Sequence, residues 1–100
     1  MAIQIEKNIE QGKAVLKIAG ELDTAAAPEL ESALDSVLPE AKSLLFDLAG
    51  LEYIASSGLR LILRSQKAMK GQGAMKLVNV GPSVREVFDI TGFTDFLTIE

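Results

Sequence analysis

One hundred residues, 48% hydrophobic and 24% charged, suit a single compact domain with one core. The net charge of -4 argues against general binding to nucleic acid or to an anionic membrane, both of which call for a basic surface. With no Cys and no His, disulfides, thiolate catalysis, a Ser-His-Asp triad and Cys- or His-ligated metal sites are all excluded.

The N-terminal stretch Met1 to Glu6 lacks a basic region followed by a long apolar segment, and no run reaches the length of a transmembrane helix. A cytoplasmic protein without membrane insertion is expected. Ile3, Ile5 and Ile9 alternate with polar residues, and Gln11-Gly12 supplies a turn before Ala14 to Gly20, so the chain should open on a hairpin. Asp23 or Thr24 can cap the next helix, Pro28 suits its first turn, and Leu30, Leu34, Val37 and Leu38 share a face. Glu29, Glu31 and Asp35 make its other side acidic, and Pro39 marks its end.

Leu44 to Leu48 is a short apolar run bounded by Ala49-Gly50, which predicts a buried strand. A helix from about Ser57 to Lys70 follows, with Leu59, Ile62, Leu63 and Met69 inward, and Gly71-Gln72-Gly73 stops it before a strand over Met75 to Val80. Ser83-Val84-Arg85-Glu86 matches a capping box for a short helix that buries Val84, Val87 and Phe88 and ends at Gly92. A last strand is expected over Phe96 to Ile99. A hairpin followed by alternating helices and strands implies an α/β domain: a mixed sheet of four to five strands with three or more packed helices.

Ser56 and Ser57 fall where an extended segment turns into a helix, so their hydroxyls should be exposed. Free N-H groups and the positive dipole end favour negative charge there. Serine is also a preferred N-cap, and capping alone would explain one serine more easily than two. Gly58, a poor helix former, suggests that backbone passes close to something. In a sheet of this kind the loops at the strands' carboxyl ends gather on one surface, which would bring Asp23, Thr24, Tyr53, Ser56 and Ser57 together. Arg60, Arg64 and Lys67 form a helical stripe that reads first as a solvated face, although Arg60 lies one turn beyond Ser56. Catalysis has little support, since no nucleophile elbow, phosphate loop or diagnostic carboxylate pair is present.

Four separated segments, Gly20-Glu21-Leu22-Asp23, Asp47-Leu48, Tyr53 to Arg60 and Phe88 to Phe93, occur in an order that resembles the STAS domain of bacterial anti-anti-sigma factors. The resemblance spans nearly the whole chain, residues 1–100. It implies a mixed sheet with packed helices, no cofactor, and a non-enzymatic role: the unmodified protein binds an anti-sigma factor, often a serine kinase, and thereby frees a sigma factor. It also implies phosphorylation at Ser56, with Ser57 as the fallback acceptor, and a partner-binding surface of Asp23, Thr24, Tyr53, Ser56, Ser57, Gly58 and Arg60. A serine phosphatase is a further partner such a cycle could use. Ala55 stands where many members carry Asp. Many also continue into another helix after the last strand, whereas this sequence stops at Glu100, so that helix is expected to be absent or very short. The alternative on resemblance is a STAS accessory subunit of an ABC-type lipid transporter.

Overall fold

The computed structural model describes residues 3–100, so Met1 and Ala2 of the N-terminal stretch lie outside the described residues. Strands β1 (Gln4–Glu10) and β2 (Lys13–Leu22) pair antiparallel around Gln11-Gly12. Both turn residues have positive φ, 51° and 82°, which matches a two-residue turn to the twist of its strands. β3 (Ser43–Ile54) and β4 (Ala74–Val78) add in parallel, giving the sheet order β1-β2-β3-β4. Parallel neighbours need crossovers, and helices α1 (Ala27–Val37) and α2 (Ser56–Met69) supply them, while α3 (Pro82–Thr91) follows β4. The expected α/β class, with a mixed sheet of four strands and three α-helices, is the observed one.

Strand alternation decides which face is covered. Lys7, Leu16, Phe46 and Leu77 stand opposite one another across the four strands. The last three are fully buried, and Lys7 Nζ donates to Ser36 Oγ of α1 at 2.8 Å, so the helical layer lies on this side. Leu30, Leu34 and Val37 of α1 and Leu59, Ile62 and Met69 of α2 complete that core. Val15, Lys17, Leu45, Asp47, Lys76 and Val78 alternate to the other face and remain half-buried or exposed. Arg64 of α2 pairs with Glu31 and Asp35 of α1, so the basic stripe is partly engaged with the acidic side of the neighbouring helix.

Four local readings are corrected. β3 does not stop at Ala49-Gly50 but runs on to Ile54. The register shows how: Lys17 faces Asp47 while Ala19 faces Gly50, and Gly20 faces Leu51 while Glu21 faces Tyr53, so β3 carries extra residues as bulges. A Cβ on Gly50 would lie 2.7 Å from Ala19 Cβ, and its absence lets the strands close again. Asp47 Oδ1 accepts from Asn79 Nδ2 at 3.0 Å and from the Ala49 N-H at 3.1 Å beside the bulge. These bonds, that from Asn79 above all, hold its carboxyl below the usual aspartate range.

Asp23 is not the N-cap of α1. Its Oδ1 accepts the Ala26 N-H at 2.9 Å, closing a turn before the helix, and Ala26 takes the cap position with no side-chain bond. Ser83 to Glu86 form no capping box either. Gly81 is the N-cap, and proline in the first turn, with φ already helical, starts α3 without one. Finally, Phe96 to Ile99 is not a strand. The Phe96 and Leu97 N-H groups donate to Phe93 O around a 3₁₀ turn, Phe93–Asp95, which leaves only a parallel bridge between Leu77 and Ile99 at the edge of β4.

Candidate partner-binding site at the start of the second helix

Extension of β3 through its bulges delivers Tyr53 and the two serines directly from the sheet into α2. The N-cap is Ala55, with extended backbone at φ -91° and ψ 171°, and no side chain caps the helix. Ser56 and Ser57 are therefore the first two helical residues. The capping explanation for the serines falls away, because neither hydroxyl serves that purpose. The first intrahelical bond runs from the Leu59 N-H to Ala55 O at 3.1 Å, which leaves the N-H groups of Ser56, Ser57 and Gly58 outside the helical ladder.

The two serines differ. Ser57 Oγ is half-buried and lies 3.4 Å from Thr24 Oγ1, within long hydrogen-bond reach of the loop after β2. Ser56 is exposed, and its hydroxyl has no hydrogen-bond partner among the described residues. Backbone joins the same two segments more firmly, through the Ala55 N-H to Leu22 O at 2.9 Å. Asp23, Thr24, Ala55, Ser56 and Ser57 thus meet at the carboxyl ends of β2 and β3, as the expected topology required.

Gly58 answers its own question. A Cβ built there would lie 2.7 Å from Leu22 Cδ2 and Cγ and 3.0 Å from Ile54 Cγ1, so the first turn of α2 rests on the buried ends of both strands. Leu22 and Ile54 form the floor of the site. Sequence reasoning did not assign them that role, and the glycine was the only local signal for it. Gly58→Val should destabilise the fold by about 1–3 kcal/mol, since overfilling a packed site costs that much and Leu22, against which the new side chain would press, is itself fully buried. The check is a urea midpoint that falls while the slope m stays constant.

Tyr53 is 51% exposed, a surface aromatic close in sequence to the serines. Arg60 is exposed on the next turn of α2. Among the described residues no group of three or more Asp or Glu side chains could hold a metal ion, and no helix is long and apolar enough to cross a membrane.

The STAS domain family model matches residues 4–100. The anti-sigma-B factor antagonist of Bacillus subtilis is 31% identical over 99% of this chain and 92% of its own length. The chain belongs to the STAS-domain family of anti-sigma factor antagonists. A solved anti-sigma factor antagonist from Mycobacterium paratuberculosis superposes with TM-score 0.89 at 25% identity, over 98% of this chain and 85% of that one. The Bacillus cell fate determinant SpoIIAA, solved in its phosphorylated form, shares the fold with TM-score 0.74 at 22% identity, over 99% and 91% of the two chains. These relatives are regulators by name, and none is named as an enzyme. The STAS sheet of this chain presents its serine pair where its two central parallel strands end.

Proposed function

We propose that this protein, when unmodified, binds an anti-sigma factor that is also a serine kinase, and that phosphorylation of Ser56 releases it, so that sigma-factor-dependent transcription follows the modification state. The observation that carries the reading is an exposed, unpartnered Ser56 hydroxyl at the open N-terminus of α2. Ser57, occupied with Thr24, is the poorer acceptor. In the transfer, Ser56 Oγ would bond to the γ-phosphorus of ATP as the bond to the bridging oxygen breaks. ADP leaves, and the hydroxyl proton passes to a base on the kinase, since this chain offers no His and no acid adjacent to Ser56 in sequence. Asp23, Thr24, Tyr53, Ser57, Gly58 and Arg60 surround the acceptor and form the contact surface. The phosphorylated SpoIIAA neighbour has the same overall fold, which supports a switch that does not unfold the domain.

Incubation with the cognate anti-sigma kinase and ATP should add one phosphate, found by intact mass and placed on Ser56 by fragmentation. Ser56→Ala should take up none. Modification confined to Ser57, or undiminished modification of Ser56→Ala, would overturn the assignment.

A further inference from the structure

Three arginines are present, and two of them are engaged. Arg64 pairs with Glu31 and Asp35, and Arg85 pairs with Asp89 four residues on in α3. Arg60 has no carboxylate partner among the described residues, although it stands on the exposed side of α2 four positions after Ser56. Residues four apart are neighbours on a helix surface, and the favourable order for a charge pair is the anion first and the cation second, as Ser56 and Arg60 would provide after modification. The first turn of α2 holds no acidic residue, and position 55 is Ala, so no carboxylate within that turn competes for the guanidinium. The planar fork of an arginine also matches a phosphate's oxygens in a way that an ammonium does not.

We propose that Arg60 is the positioning residue for the phosphorylated state: its guanidinium folds back one turn and clasps the phosphate on Ser56. This rests on the proposed phosphorylation of Ser56 and specifies how the modified state is held. The clasp partly neutralises the new charge in the free protein and fixes where the phosphate points. Forming it breaks no ion pair, because Arg60 has none among the described residues.

The test uses full-length protein with phosphoserine installed at position 56 during translation, so the outcome does not depend on any kinase. The phosphate's second ionisation, ordinarily near pH 6, is followed by phosphorus NMR. A cation at this spacing favours the dianion, so Arg60→Gln should raise that pKa by about 0.2–0.4 unit relative to the parent, and Arg60→Lys should restore part of the difference. The difference between parent and Arg60→Gln should shrink in 1 M salt, which screens exposed charges. An unchanged phosphate pKa in folded Arg60→Gln would overturn the clasp, as would a difference of equal size in high salt. Should Arg60→Gln fail to fold, Arg60→Lys against parent is read in its place: a phosphate pKa above the parent's supports the fork geometry, and an identical one refutes it. Failure of the kinase to modify Ser56 is a separate result and bears only on the proposed function.

Discussion

Phosphorylated protein should bind the anti-sigma factor at least 100-fold more weakly than unmodified protein, with no change in its far-ultraviolet circular dichroism. Ser56 stands exposed at the centre of the proposed contact surface, so a partner covering that surface must desolvate whatever the hydroxyl carries. A phosphate adds about -1.5 to -2 charge at neutral pH, and leaving a buried charge without its own partner costs about 3–5 kcal/mol. Each 1.4 kcal/mol is tenfold in affinity, so even the lower figure gives about 100-fold. A clasp by Arg60 reduces this charge without removing it. The helix itself has no reason to melt, since free N-H groups and the positive end of the dipole lie beside the new anion. Calorimetric titration of both forms, alongside their spectra, is decisive. Affinities within threefold of each other would remove the switch, and a loss of helical signal would show that release works by unfolding.

Phe46→Ala should destabilise the protein by about 3–5 kcal/mol, the range for truncating a buried aromatic ring. Phe46 is 0% exposed in the strand at the middle of the parallel set, opposite Leu16 on one side and Leu77 on the other, both also at 0%. Strands hold these neighbours in register, so they cannot collapse into the vacated space as a loop could. Domains of this size are stable by about 5–15 kcal/mol, and the variant therefore forfeits a large share of the total. Urea denaturation should show a much lower midpoint. Val15→Ala, on the open face of β2 and only half-buried, should cost far less and serves as the comparison.

Where the sequence was readable, one physical signal dominated. Alternation and the Gln11-Gly12 turn predict the hairpin, and helical spacing predicts the buried Leu30, Leu34 and Val37 of α1 and Leu59, Ile62 and Met69 of α2, whereas Leu63 is only half-buried and Leu61, which the spacing argument passes over, is buried. The end of β3 was misread because Ala49-Gly50 resembles a stop, while its actual role depends on the Cβ of Ala19 in another strand. Side-chain caps were misread for a related reason. Asp23, Ser56 and Ser83 are all suitable caps, yet backbone geometry at Ala26, Ala55 and Gly81 fills those positions without them. The convergence of Thr24 with Ser57 followed from topology alone. Their difference in hydrogen bonding, which separates Ser56 from Ser57 as an acceptor, depends on contacts between residues more than thirty apart and could not be read locally.

The hydrogen bond from the Ala55 N-H to Leu22 O has a kinetic meaning for recognition. It ties the entry of α2 to the end of β2, and with Gly58 seated on Leu22 it sets the spacing between the Asp23-Thr24 rim and the serine rim before any partner arrives. A surface built this way loses little conformational entropy on association, so docking should proceed as a near rigid-body encounter whose rate follows diffusion and charge. The modification state would then be felt chiefly in how long a complex lasts, with a smaller, salt-dependent change in the waiting time before it forms.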